Sequence, residues 1–178
     1  VYVSIDSGAT WDRSSMNGLP DMSEHRCNTI VVDRFNGNDV YLGVSGKVTP
    51  GGGGIYISSD RAKTWEWKGD GLPEGKEFFS QSIWHIGREI AIDRSGNMVC
   101  FSQRQKCVYY FDRHSSRWQR CRRFNQPPNE IVAGHERESV FYIACHEEGL
   151  FRSLDSGKTW KRIHDRNCAH IAADFYTP

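Results

Sequence analysis

The 178-residue sequence predicts an all-β protein built from repeated units of four short strands. An eight-residue phrase of the pattern S-x-D-x-G-x-T-W stands at residues 4–11 and returns at residues 153–160. Around both copies, short apolar runs of alternating or continuous character are separated by Gly, Asn, Asp and Pro, and no segment has the apolar period of a helix. Self-similarity of this kind is the signature of a repeat architecture.

Two weaker copies of the phrase lie between the complete ones, at residues 58–65 and 110–118. The first has Ala62 where the pattern has Gly, and the second has one extra residue between its Asp and its Trp. Successive aspartates are between 43 and 54 positions apart, which matches the length of a four-stranded propeller blade. The recurring residues, which we expect to be structural, are Asp6, Trp11, Asp60, Trp65, Asp112, Trp118, Asp155 and Trp160.

The flanks of the phrase repeat in a constant order. A β-rich run precedes each copy (VYVS, IYIS, VYYF, LFRS), and a polar strand ending near proline follows three of them (NGLP, DGLP, NQPP). Next comes an apolar strand (TIVVD, EIAID, EIVAG, HIAAD) and, after a turn, a further one (DVYLGVS, NMVCFS, SVFYIAC). If the four strands of a unit are labelled A to D, the phrase spans the hairpin between strands C and D.

Each residue type in the phrase has a structural use in such a hairpin. The Asp side chain can accept hydrogen bonds from backbone N–H groups two or more residues on, and Ser and Thr hydroxyls add further local bonds. Gly supplies a positive φ, and Trp packs a large face between neighbouring sheets. We therefore interpret these aspartates as structural, and we assign none of them a catalytic role.

The units fill a single propeller segment over residues 1–178. Whole units are expected at 27–73, 85–127 and 130–165, with partial units at 1–20 and 168–178. Since the partial units supply only some strands, we expect the chain to be a piece of a longer polypeptide, with about three to four blades. The rival interpretation is a small four-bladed ring in which the last strand joins the N-terminal hairpin.

The pattern resembles the Asp-box, or BNR, repeat. That repeat recurs in β-propellers such as sialidases, xyloglucan-cleaving glycoside hydrolases, the sortilin ectodomain and a photosystem II assembly factor. The resemblance covers essentially the whole chain and implies a β-propeller of four-stranded antiparallel blades with Asp-box C–D hairpins. It says less about activity, because the family includes both enzymes and binding modules.

Composition narrows the possible partners. The 23 basic and 22 acidic side chains nearly cancel, which disfavours a nucleic-acid partner. The mean hydropathy is -0.64, and no apolar run approaches the roughly 20 residues that cross a bilayer. Six cysteines without a CxxC pair are expected to be buried or to form one or two disulfides. No metal or other cofactor is expected, since HExxH is absent.

The resemblance places the ligand face on the D–A and B–C connections, on the rim opposite the phrases. Candidate ligand-face residues there are Glu77, Phe79, Trp84, His85 and Glu130. Aromatic faces and carboxylates suit a sugar, but the aromatic rings can equally pack as core between blades. The glycine-rich loop at 45–54 is interpreted as a mobile connection, with close approach of its backbone to a ligand as the alternative. Residues 145–149, CHEEG, are interpreted as a solvated turn.

The preferred function is a segment of a carbohydrate-active propeller, a glycoside hydrolase resembling the xyloglucanase type, acting on a polysaccharide or oligosaccharide. It would be secreted or periplasmic and would work with the remaining blades of a longer parent or a companion chain. The sequence contains no Arg-Ile-Pro motif, which counts against a sialidase. The catalytic residues stay unknown. The alternatives are a non-catalytic propeller that binds protein or peptide, as a receptor or assembly factor, and a purely structural repeat array.

Overall fold

The computed structural model describes residues 1–33, 35–79, 88–134 and 138–173. Strands and connecting turns make up this part of the chain, and no helix occurs in it, so none is present that could cross a membrane. The strands are β1 (Tyr2–Val3), β2 (Asp12–Arg13), β3 (Cys27–Val32), β4 (Val40–Val44), β5 (Gly54–Ser58), β6 (Glu66–Trp67), β7 (Ile90–Ile92), β8 (Met98–Ser102), β9 (Cys107–Asp112), β10 (Arg117–Arg123), β11 (Pro128–Ala133), β12 (Phe141–Cys145), β13 (Gly149–Ser153) and β14 (Lys161–His164).

The strands form one small and three large antiparallel sheets. Sheet I is the β1–β2 hairpin, while sheets II, III and IV are four-stranded meanders with the orders β3-β4-β5-β6, β7-β8-β9-β10 and β11-β12-β13-β14. Within each sheet, strands that follow one another in sequence pair antiparallel. The prediction of an all-β fold of four-stranded antiparallel sheets is confirmed.

Burial explains the residue pattern of the strands. The second strands of sheets II and III, β4 and β8, are buried along their whole length and read as continuous apolar runs. The last strand of sheet IV, β14, is exposed throughout and carries Lys, Arg and His. A strand covered on both faces loses the alternation of apolar and polar residues that a half-exposed strand shows.

The hydrophobic core lies between the sheets. One cluster joins sheets II and III and contains Tyr41, Ile55, Ile90 and Tyr109. A second cluster joins sheets III and IV, and a third packs the N-terminal hairpin and its following loop against sheet II. Each sheet therefore buries its apolar faces against its neighbours in the series, as stacked repeats do.

Three of the four Trp side chains of the phrases lie in these clusters. Trp65, Trp118 and Trp160 are 6%, 2% and 9% exposed, one in each cluster, whereas Trp11 is 61% exposed. Among the residues that the structure describes, no sheet covers the outer side of Trp11.

The phrase at residues 153–160 forms a compact hydrogen-bonded hairpin. Asp155 Oδ1 accepts hydrogen bonds from Ser153 Oγ and from the Thr159 backbone N–H, both 2.8 Å long, and Oδ2 accepts one of 2.6 Å from the Thr159 hydroxyl. Asp6 and Asp60 accept the same three bonds in their copies. In the weaker copy, Asp112 accepts bonds from the His114 N–H and the Ser115 hydroxyl instead.

All six cysteines fall within the described residues, and none pairs with another. Cys100, Cys107 and Cys145 are buried in the sheets, Cys121 and Cys168 are half-buried, and Cys27 is exposed. Burial as small apolar side chains therefore describes three of them.

Candidate functional site

The turns of the sheets divide between two opposite rims. The C–D hairpins share a rim with the A–B turns: Arg61 Nε donates to Asn38 Oδ1 over 2.8 Å, and the Ser156 N–H donates to the Ser139 carbonyl over 3.0 Å. The B–C and D–A connections meet on the other rim, where the Val48 N–H donates to the Lys76 carbonyl over 2.9 Å. We call this second rim the connection face.

Glu77 is held on the connection face between two blades. Its backbone bridges Lys47 in the glycine-rich loop, and its carboxylate lies 3.0 Å from Arg104 Nε in the B–C turn of sheet III. The Glu77 side chain is 38% exposed and that of Arg104 is 51% exposed. A carboxylate and a guanidinium that are paired and still reach solvent can both hydrogen-bond to hydroxyl groups of a ligand.

The glycine-rich loop is folded tightly against this region. The Gly75 N–H donates to the Val48 carbonyl over 3.0 Å, and the Tyr56 hydroxyl donates to the Gly52 carbonyl over 2.7 Å. A Cβ on Gly53 would stand 2.5 Å from the Gly46 carbonyl oxygen, so the two backbones approach too closely for any side chain. Close approach of the Gly46 backbone therefore accounts for glycine at position 53, while the mobile connection and the approach to a ligand both stay predictions.

Phe79 is fully buried and presents no ring face on the surface. Its ring packs edge-to-face on Phe78 with centroids 4.9 Å apart, and Phe78 in turn packs on Tyr109 at 5.3 Å. The alternative in which these rings form core between blades is the one the structure shows. Trp84 and His85, the other aromatic candidates, lie outside the described residues.

Glu130 lies on β11, the innermost strand of sheet IV, with its side chain 13% exposed. Its Oε2 accepts a 3.0 Å hydrogen bond from the Ile171 N–H and lies 3.5 Å from His170 Nδ1. Its Oε1 is 4.0 Å from Nε of Arg88, which lies two residues before the neighbouring inner strand β7. The carboxylate thus joins β11 to the segment that precedes β7 and to the segment that follows β14.

Glu89 is a buried acid that sequence reasoning missed. Its residue is 3% exposed, and Oε1 finds no hydrogen-bond donor among the described residues. Desolvation by burial raises the pKa of this carboxyl from 4.5 to about 8, so it is neutral at physiological pH. The signal was present: EIAID and EIVAG align Glu89 with Glu130 at the start of their inner strands.

A groove lined mostly by aliphatic side chains runs between the inner strands. It has a volume of about 290 Å³ and is lined by residues of β3, β7 and β11, with Arg88 and Asp33 contributing charge. Ile30 and Val32 on β3 are 52% and 55% exposed, and no inner strand among the described residues covers them. The groove occupies the position that the central channel has in a ring of blades.

The turn at 145–149 has a local structural role. Glu148 Oε1 accepts a 2.7 Å hydrogen bond from the Gln126 N–H and so joins the B–C turn to the D–A connection. Within the residues that the structure describes, no group of three or more His, Cys, Asp or Glu side chains is arranged to hold a metal ion.

The comparison with known proteins finds propellers that are similar to this chain. No family model matches the chain. Xyloglucanase Xgh74A of Acetivibrio thermocellus is 24% identical over 210 residues, covering 92% of this chain and 24% of its own length. The solved GH74 xyloglucanase from Xanthomonas campestris aligns with TM-score 0.62 and 20% identity over 90% of this chain and 26% of that one.

An ancestral GH74 enzyme aligns with TM-score 0.59 and 15% identity, covering 91% of this chain and 21% of that chain. The chain thus spans about a quarter of the length of the xyloglucanases it matches. At these identities the structural likeness shows the fold alone, and it agrees with the sheets described above. The chain is a segment of a β-propeller.

Proposed function

We propose that the chain is part of a carbohydrate-active propeller, a glycoside hydrolase of the xyloglucanase type. The observation that carries the proposal is the similarity to a xyloglucanase along 92% of the chain. As part of this proposal we identify the repeated phrases as Asp-boxes, since the same hydrogen bonds recur around Asp6, Asp60 and Asp155. A polysaccharide substrate also implies a secreted or periplasmic protein.

The connection face has the chemistry that this proposal needs. Carboxylate and guanidinium groups at Glu77–Arg104 and at Glu130–Arg88 offer acceptors and donors on either side of the inner strands. Sugars are recognised by such convergent polar groups together with apolar surface. Hydrolysis normally requires two carboxyl groups about 5 to 9.5 Å apart around the scissile bond. The proposal assigns no such catalytic pair to this chain and expects it in the complete ring of blades.

The test is binding of xyloglucan oligosaccharides to the chain, measured by titration calorimetry, with cellulose, mannan and xylan oligosaccharides in parallel. We expect binding to be at least fivefold weaker in Glu77→Gln and Glu130→Gln, because each change removes a charged acceptor at unchanged size. Glu138→Gln is the matched control, since Glu138 is exposed on the opposite rim. Absence of binding to every oligosaccharide, or an equal loss in the control, would contradict the proposal and favour a protein-binding propeller.

A further inference from the structure

Neighbouring blades are joined by a backbone contact that repeats along the chain. The loop after β2 carries Asn17, whose carbonyl accepts a 2.9 Å hydrogen bond from the Trp65 backbone N–H of the next blade. The Ser15 carbonyl in the same loop accepts a 3.3 Å bond from the Trp65 indole. Gly18 has a φ of +90°, and a Cβ there would overlap the Trp65 carbonyl oxygen.

The next pair of blades repeats the contact. The Asp70 carbonyl accepts a 2.7 Å bond from the Trp118 backbone N–H, and the Lys68 carbonyl accepts a 2.7 Å bond from the Trp118 indole. Gly71, also at φ +90°, approaches the Trp118 carbonyl as closely as Gly18 approaches that of Trp65. The shared sequence Asx-Gly-Leu-Pro is therefore an inter-blade latch, in which Gly allows the approach and Leu72 is buried beside the indole.

Trp11 has the same place in its hairpin as Trp65 and Trp118 have in theirs, but among the described residues no Asx-Gly-Leu-Pro loop contacts it. Its side chain is 61% exposed, against 6% and 2% for Trp65 and Trp118. Its indole N–H turns back to the Gly8 carbonyl of its own hairpin over 3.1 Å, and its backbone N–H has no partner among the described residues. Tyr2 and Ile5 beside it are 63% and 86% exposed.

We propose that the Trp11 face docks a further propeller blade whose last strand is followed by an Asx-Gly-Leu-Pro loop. The face continues the interface geometry seen twice within the chain, and the matched xyloglucanase has about four times the length of the region aligned here. On docking, the Trp11 backbone N–H and indole N–H both donate to carbonyls of the incoming loop. The apolar surface around Tyr2 and Ile5 is covered in the same step.

A second copy of this chain does not fit that description. Its two Asx-Gly-Leu-Pro loops are already bound to Trp65 and Trp118. Its last blade continues after β14 with Asp165, Arg166 and Asn167, and no glycine stands there. A side chain at the latch position would collide with the Trp carbonyl, so the occupant is a blade of different sequence.

The test uses the full chain with ¹⁵N-labelled tryptophan and a synthetic peptide of residues 68–75, KGDGLPEG, which contains the latch. We expect the Trp11 indole and backbone signals, assigned with Trp11→Phe, to shift and saturate at millimolar peptide, because a free loop loses entropy on binding. The Trp65 and Trp118 signals should stay in place, since their latches are occupied.

The control peptide carries Gly71→Ala and should bind at least tenfold more weakly. Because an eight-residue peptide has no fold of its own to lose, the comparison does not depend on the folding of a variant. The proposal is overturned if the Trp11 signals do not move at about 10 mM peptide, or if the alanine peptide shifts them equally. It is also overturned if the Trp11 signals move with chain concentration alone, which would make the occupant a second copy.

Discussion

The Asp side chains of the repeated phrases act on the backbone of their own turns. Hydrogen bonds lower the pKa of Asp6 to about 2, chiefly the bond from the Thr10 hydroxyl, and they lower that of Asp60 to about 2, chiefly the bond from the Thr64 backbone N–H. Such carboxylates stay ionised well below neutral pH. A group held in this way serves the turn, because its oxygens are already engaged by the hairpin.

Glu89 shows the opposite effect of environment on a carboxyl group. Since its pKa is raised from 4.5 to about 8, the folded protein keeps a proton that the unfolded chain releases. The contribution of Glu89 to the free energy of unfolding is therefore fully present below about pH 4.5 and is lost as the pH rises towards 8.

We expect Glu89→Gln to remove most of this loss, because glutamine has nearly the same shape and cannot ionise. At pH 8.5 the variant should be more stable than the natural protein, by on the order of 3 kcal/mol. Urea unfolding followed by circular dichroism at pH 5 and pH 8.5 measures the difference. Glu138→Gln, an exposed control, should behave as the natural protein does; if Glu89→Gln declined with pH as steeply, the carboxyl would not be the cause.

At the scale of the element, turns that share a sequence pattern tolerate different side chains. In the complete phrase, Ser156 and Gly157 adopt φ of 61° and 86°, and the incomplete copy reaches the same region with Arg61 and Ala62 at 61° and 65°. The loss of glycine at position 62 thus leaves the hairpin hydrogen bonds in place. A positive φ alone does not require glycine at a position, whereas the close approach of another backbone does.

Gly71 and Gly75 provide a matched pair for this distinction, because both have positive φ but only Gly71 is crowded. We expect Gly75→Ala to lower the free energy of unfolding by about 1 kcal/mol, the penalty of a Cβ in a left-handed conformation. Gly71→Ala should cost at least about 3 kcal/mol, because the added Cβ collides with the Trp118 carbonyl and opens the blade interface.

Urea denaturation of the two variants at one pH is the measurement. Equal losses in both would mean that the inter-blade contact at Gly71 contributes little.

The interface between sheets III and IV is built in another way. The Arg122 guanidinium stacks on Phe124 and Phe151, with 4.9 and 4.6 Å between its carbon and the ring centroids, and donates a 3.3 Å hydrogen bond to the Trp160 carbonyl. The connecting sequence NQPP has no glycine and forms no latch. A cation stacked on aromatic rings thus takes over the contact that a backbone loop makes in the other two interfaces.

On the scale of the whole molecule, stacking of the sheets decides which thiols solvent can reach. Burial raises the pKa of Cys121 to about 11 and that of Cys145 to about 12, so these groups are neutral as well as covered. Burial also raises the pKa of Cys100 well above its ordinary value. Thiolate, the reactive form, is scarce at such sites.

We therefore expect at most two of the six thiols, Cys27 and Cys168, to react with Ellman's reagent within minutes in the folded chain at pH 8. All six should react in guanidinium chloride under non-reducing conditions, because none is in a disulfide. Fewer than six in the denatured chain would reveal a disulfide, and four or more in the folded chain would mean that the sheets separate readily.

The sequence predicted only part of the candidate site. Glu77 and Glu130 could be chosen because they flank predicted inner strands on the D–A connections. Their partners Arg104, Arg88 and the Ile171 N–H could not, since each lies on another strand or loop brought close only by packing of blades. Phe79 was ambiguous for the same reason, because a ring beside a connection can point into the core or out of it.

The sequence alone determined the all-β class and the four-stranded unit, because strand period, turn residues and the repeated phrase are local properties written along the chain. The tertiary structure alone decided which chemical state and which neighbour each residue has. Glu89 is neutral and Phe79 is core because sheets stack on them, and Gly71 is required because a tryptophan carbonyl 47 positions later lies against it. Burial and close approach depend on contacts distant in sequence, which no local pattern encodes.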